Sequence, residues 1–563
     1  TVTLGNGSDT IAFTGGVVAT APTAITVNGT VSAAGTGVIT LGDSNTALTI
    51  GGTSTIGGTS TGTITTGAIN LNNNLTLGAG AATPISLTTV TGPLSGSANL
   101  TINTTGAVTV SGAIGTNVGT LTITNSGGTT FGSTVGATTV TLTDTTGTIT
   151  FTGALTATTL NTNSAGYNLA LNATTGTITN AVTFSNTGTL TLGASGGTLS
   201  FAGGLTATAP SARTISGTIS STNGAMSFGA ITLGAATTLN TNATTNVADL
   251  TIGAVTGATN NLTLTTGGIA GAEISGTSVA GVGTLTITNS GGTTFSGAVS
   301  ATTVTLTNTT GTIAFNGALT ATTLNTASAG YNLALNATTG TITNAVTFSN
   351  TGTLTLGASG GTLIFSYGLT AEAPSTKFIS GTISVTFGTS PIKFGVTPVR
   401  ILANTSLGGG STGTITLAAT TLDDGVTLTL GTGIGNPIIL ASIRGTAGGL
   451  ASNISINTTG SVTILDSFET DIGTVTITNS GGLSSWIINA NSLVITSTTS
   501  GNTVTIGGNL TLTTGMTVGA GSAAYNVAIN GSSNTIAGTT TFANTGTVTL
   551  GNGSDTIAFT GGV

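Results

Sequence analysis

The sequence predicts an all-β fold, an elongated parallel β-solenoid with coils of about 20–21 residues. Three observations carry the prediction: a composition of β-branched and small residues, alternation of apolar with hydroxyl residues, and repetition at two length scales.

Composition narrows the class first. Of 563 residues, 91 are Gly, 3% are charged, 37% are hydrophobic, and Cys and His are absent. A chain this poor in charge would be disordered if it were also poor in apolar residues. Its mean hydropathy of +0.47 excludes that. Val, Ile, Leu and Thr fit a pleated surface, and the scarcity of Glu, Lys and Arg argues against long helices. Five bases against twelve acids, net charge -7, cannot neutralise a phosphate backbone, so nucleic acid is not an expected partner. Disulfides and thiolate metal sites are excluded with Cys. No uninterrupted apolar run reaches membrane-spanning length, so the chain is not expected to be transmembrane.

Alternation supplies the strands. In "TLTIT" at 120–124 and "TVTLT" at 139–143, Leu, Val or Ile alternates with Thr, the period of a half-buried strand. "TNSGG" at 124–128, 288–292 and 478–482 supplies corners, where turn geometry is needed.

Repetition selects the solenoid over a sandwich. "SAGYNLALNATTGTITNAVTFSNTGTLTLGASGGTL" at 164–199 recurs unchanged at 328–363, an offset of 164, and a weaker third copy includes "SAAYNVAIN" at 522–530. One landmark runs through the chain: Phe13, Phe201, Phe365 and Phe559 precede related Gly-containing stretches, at spacings of 188, 164 and 194. Residues 1–17 and 547–563 are identical, an offset of 546. The whole of 1–563 therefore reads as one continuous repetitive solenoid, with sub-units 13–200, 201–364 and 365–558 and the start of a next period at 559–563. Both ends carry ordinary repeat sequence rather than caps. The expectation is that the chain's partners are further periods or copies of itself, joined end to end covalently or by stacking. Within a unit, Phe131 and Phe151, and Phe295 and Phe315, lie 20 apart and are expected to stack on successive coils. Residues 120–219 and 284–383 are expected to share one backbone course.

The units "GTLTIT", "GTITF" and "GALTATTLNT" resemble the β-strand repeats of large bacterial surface proteins, the filamentous-haemagglutinin-type adhesins and autotransporter passenger stalks. The resemblance covers essentially the whole chain. It implies a right-handed solenoid, export, and an extracellular or cell-surface location. Those stalks share no active site, so no functional residue is carried over. The implied function is a structural extracellular fibre or stalk. The alternatives are an adhesin binding through exposed Thr/Asn faces, and ice binding by T-x-T strands. Ice binding requires Thr in strict register on consecutive coils, and the unequal spacings of 188, 164 and 194 argue against it.

Candidate sites are few. "GNGSDTIAF" at 5–13 resembles a repeats-in-toxin calcium nonapeptide: Gly5, Gly7, Asp9 and Ile11 fit, and Leu4 departs. Calcium needs six to eight oxygens, and one Asp per turn supplies too few. Asp9 and its copy Asp555 are expected to sit in plain corner turns, with no metal and no cofactor. Asp423 and Asp424 are adjacent acids, read as a strand-end turn, with a weak cation site or acid pair as the alternative. Paired catalytic carboxyls face each other across a substrate, which neighbouring Asp residues do not. The bases Arg213, Lys377, Lys393, Arg400 and Arg444 are scattered, and without His or Cys no common nucleophile–base pair is available. An enzyme is not expected. Residues 366–407 hold Glu372, Lys377, Lys393 and Arg400 with Pro374, Pro391 and Pro398. Pro disfavours a central strand, so part of this segment is expected to leave the ladder as a loop, with lateral contact to another chain as its functional reading.

Overall fold

The structure is a computed structural model describing residues 1–563. It is all-β, with 59 strands and no helix, hence no helix long and apolar enough to cross a membrane. The coils are right-handed, roughly 22 residues each, the sense of nearly all parallel crossovers.

The chain divides into two compact units: Thr1–Thr277 with Gly281–Gly283 and Thr288–Gly291, and Ser278–Ala280 with Thr284–Ile287 and Gly292–Val563. The first contains the landmarks Phe13 and Phe201, the second Phe365 and Phe559.

In the first unit, one coil contributes strands Asn168–Leu171, Thr175–Ile178 and Val182–Thr183, and the next contributes Leu190–Leu192, Thr198–Phe201 and Leu205–Ala207. Each pairs in parallel with its counterpart one coil on: Leu169 with Leu190, Ile178 with Phe201, Val182 with Leu205. Three strands per coil define three faces, called first, second and third in that order. The second unit repeats the plan with Leu333 on Leu354, Ile342 on Phe365 and Val346 on Leu369. Strands Leu155–Thr162 and Thr198–Phe201 recur as Leu319–Thr326 and Thr362–Phe365, each 164 residues later.

The alternation read from sequence sets which side chains point inward. Leu169, Leu190, Ile215 and Phe201 are buried, whereas Thr191 and Ser200 between such positions are half-exposed. The expected aromatic ladders are present: Phe131 stacks on Phe151 with centroids 4.6 Å apart, and Phe295 on Phe315 at 5.7 Å. Three of the four landmark phenylalanines also meet an aromatic from the preceding coil edge-on, Phe184 with Phe201, Phe348 with Phe365 and Phe542 with Phe559.

Buried tyrosines anchor three equivalent corners. Tyr167 Oη donates to the Leu142 carbonyl at 3.3 Å, while Asn186 Nδ2 donates to the carbonyls of Tyr167 and Thr189. Tyr331 with Asn350 repeats the arrangement, and Asn544 Nδ2 reaches the Tyr525 carbonyl at 3.0 Å. Burial pushes the Tyr167 and Tyr331 hydroxyls up to about 12, so they remain donors across the physiological range.

The expectation of a loop in 366–407 is corrected. Strands Leu369–Thr370, Lys377–Val385, Ile392–Phe394 and Val399–Gly409 all stay in the ladder. Pro391 and Pro398 sit immediately before strands, where no ladder N–H is required. Their carbonyls still accept from Leu369 N and Lys377 N.

Candidate functional site

The predicted metal and acid candidates resolve into turns. Asp9 Oδ2 accepts from its own turn's Asn6 N at 3.1 Å, and Asp555 Oδ2 accepts from Asn552 N at 2.6 Å. In each stretch the carboxylate is turned onto the preceding backbone. Melting temperature is therefore expected to be the same with millimolar calcium and with a chelator; a rise of many degrees with calcium would overturn that assignment. Asp423 and Asp424 turn to different partners. Asp423 Oδ1 accepts from Arg400 Nε at 2.6 Å, and Asp424 Oδ1 accepts from the Thr446 hydroxyl. Arg444 donates to Thr421 Oγ1 at 3.3 Å.

Two of the five bases lie inside the fold, which their charge did not suggest. Arg213 and Lys377, 164 residues apart, begin equivalent first-face strands and point inward, 7% and 0% exposed. Arg213 donates to the carbonyls of Ala207, Thr208 and Ala230. Lys377 Nζ donates to the carbonyls of Gly395 and Thr397 and to Thr397 Oγ1. Each cation thus adds a donor to corner carbonyls, of which those of Ala207 and Gly395 also accept from Gly229 N and Thr397 N.

Outward positions build columns of hydroxyls. On the third face of the first unit, Thr10, Thr30, Thr55, Thr76, Thr101, Thr122 and Thr141 pair one above another, followed by Asn161. On the first face, Thr109, Thr130 and Thr150 align, as do Thr191, Thr214, Thr232 and Thr256 beyond Ala170. Unequal coil lengths do not break these columns, because the extra residues fall in corners. The objection to threonine register drawn from unequal repeat lengths is therefore withdrawn. In this region a second parallel column, Thr120, Thr139 and Thr159, spans three coils.

The second unit interrupts its columns. On the first face Phe378 pairs with Arg400, Arg400 with Thr421, and Thr421 with Arg444; on the third, Thr370 pairs with Lys393. Exposed aromatics accompany the charges. Tyr367 and Phe387, 50% and 52% exposed, stack at 5.2 Å. The fold and these surfaces define the class: a parallel β-solenoid with neutral hydroxyl columns and a decorated belt. Comparison with known protein families, curated proteins and solved structures finds no match.

Proposed function

We propose that the chain is a structural stalk or fibre of a bacterial cell surface, extracellular and without catalytic activity. The single observation that supports this most is the unbroken run of parallel ladders within each unit, faced by uncharged hydroxyl columns. Backbone hydrogen bonds repeat coil upon coil, so load along the stack is shared among many parallel bonds. Threonine stacked on threonine adds cross-strand contacts of about 0.2–1 kcal/mol each, while stacked like charges would repel. The repeat style that resembles bacterial surface stalks supports the location. Copies of the same fold are the proposed partners.

The test is immunolabelling of intact cells of the source organism, with protease shaving of the surface. Labelling without permeabilisation and loss of the chain on shaving are expected. A chain found only after lysis would overturn the reading.

The hydroxyl columns favour a second reading, adhesion to a neutral, hydroxyl-rich ligand. An array of purified polysaccharides probed with the chain should then give binding that is insensitive to salt, since the columns carry no charge. A thermal hysteresis assay separates ice from such ligands, and absence of hysteresis removes the ice-binding reading.

A further inference from the structure

Each sub-unit contains one coil that rounds a corner with a single residue. These residues are Asn28, Ser216 and Ser380, each followed by a left-handed glycine: Gly29, Gly217 and Gly381, with φ of 103°, 69° and 72°. Each glycine lies 16 residues after its landmark, Phe13, Phe201 or Phe365. Register shows how short the corner is. Leu356 pairs with Ile379 and Thr362 with Thr382, so four residues of the coil below, 357–360, stand opposite Ser380. Ile379 pairs with Ile401 and Gly381 with Thr405, so three residues of the coil above, 402–404, do the same. The corners at Asn28 and Ser216 have the same counts below and above. Only glycine fits there. A Cβ on Gly29, Gly217 or Gly381 would collide with the carbonyl oxygen of Asp9, Ala194 or Ala358 on the coil below.

A short corner between two longer ones leaves a notch. At Gly381 it is a groove of about 480 Å³, within the range of roughly 300–1,000 Å³ typical of small-ligand sites. Thr382, Ser406 and Thr429 pair one above another and form its floor. Their hydroxyls are half-exposed and have no protein partner, whereas Thr405 beside them donates its own to the Ala403 carbonyl at 2.9 Å. On the upper lip Asn404 Oδ1 accepts from Thr427 N at 2.8 Å, leaving Nδ2 without a protein partner. No charged residue lines the groove. The floor recurs in the other two notches, as Thr30, Thr55 and Thr76 and as Thr218, Thr238 and Thr263. Asp9 adjoins the first of these, and its carboxylate is bonded to Asn6 N.

We propose that the notches bind an uncharged linear polysaccharide laid across the coils. The proposal rests on the adhesive reading above and gives it a place on the molecule. Each floor hydroxyl both donates and accepts a hydrogen bond, as a sugar hydroxyl does, so the two pair in either direction without charge. The Asn404 amide adds a donor at the lip. The groove at Gly381 draws residues from four coils. At about 4.8 Å per coil it is about 14 Å long, room for a few sugar rings in a row. An ionic polymer finds no counter-charge there, and a peptide finds no apolar wall for its side chains.

Native electrophoresis of the purified chain through gels containing dextran, laminarin, hydroxyethyl cellulose or mannan tests this. The wild type should be retarded in at least one gel, equally at low and high salt. The triple variant Thr55→Tyr/Thr238→Tyr/Ser406→Tyr puts a ring over the middle of each floor and should weaken binding at least about tenfold. The control Thr109→Tyr/Thr150→Tyr/Thr416→Tyr, at outward positions away from the notches, should bind as the wild type does. Unchanged melting curves establish that both variants fold. Retardation that survives in the floor variant, or that the control loses equally, overturns the notch assignment and leaves the adhesive reading standing. A wild type that runs freely in every gel overturns both.

Discussion

Lys377→Ala is expected to destabilise the second unit by about 3 kcal/mol, whereas Lys377→Arg is tolerated. The alanine variant removes a buried four-carbon stem, leaving a cavity. It also strips the Thr397 carbonyl of its donor, while the Gly395 carbonyl keeps Thr397 N, and an acceptor left unpaired in the fold costs about 1–3 kcal/mol. Arginine is tolerated because Arg213 occupies the equivalent place in the first unit and donates to three corner carbonyls. The lysine itself is costly in charged form. Burial lowers its pKa from 10.5 to about 8, with Glu372 opposing the shift. Below pH 8 the ammonium is charged in folded and unfolded chains alike, and the burial cost is fully present. Between pH 8 and 10.5 the folded chain sheds the proton first, so the unfolded chain binds more protons and stability rises with pH. The rise is on the order of 1–2 kcal/mol after allowance for screening near a corner. Urea titrations at pH 7 and pH 10 on the wild type and Lys377→Arg measure it. The arginine variant should lack that rise, and a wild type that loses stability relative to it over this window would refute the assignment.

The same residue shows what a sequence reveals of such a fold and what it hides. The coil was legible because its signal is repeated: an inward Leu or Ile every second residue and a Phe 20 residues after another leave little freedom of register. Phe131 on Phe151 followed directly. Lys377 was hidden because its position in the alternation was inward while its charge suggested the surface. The 164 offset to Arg213 was the available signal, since two cations at equivalent strand starts imply a shared role. The prolines of 366–407 misled for a related reason. Pro391 and Pro398 disfavour strand interiors but not the residue before a strand, and that distinction depends on corner positions fixed only in three dimensions. The Tyr167–Asn186 corner was present as "YN" and "SNTG" in the exact repeat, yet nothing in one dimension brings residues 19 apart together until the coil length is known. On the surface, Tyr367 and Phe387 are 20 apart and follow the coil period. Their outward direction is visible only in the structure, where both are half-exposed and stacked on each other.

The landmark glycines carry the second large effect, and two of them separate strain from collision. The stretches "FTGGV", "FAGGL" and "FSYGL" share one glycine: Gly16, Gly204 and Gly368, with φ of 96°, 93° and 91°. The glycine before it is replaceable, since Tyr367 stands there in the third stretch. A Cβ on Gly204 would overlap the Ala225 carbonyl oxygen and lie 3.0 Å from Ala225 N on the next coil. That carbonyl accepts from Leu205 N at 3.1 Å, a bond of the third-face ladder. Gly196 is also left-handed, with φ of 70°, but a Cβ there meets nothing within 4 Å. Gly196→Ala therefore reports backbone strain alone, about 1 kcal/mol. Gly204→Ala adds displacement of a neighbouring backbone that cannot rotate away as a side chain would, for a total of about 3 kcal/mol. Hydrogen exchange should show the difference in kind as well as size: Gly204→Ala accelerates exchange at Leu205 N and at its third-face neighbours, while Gly196→Ala leaves them protected. Equal losses in the two variants would mean that φ alone, and not close approach of successive coils, holds glycine at the landmark.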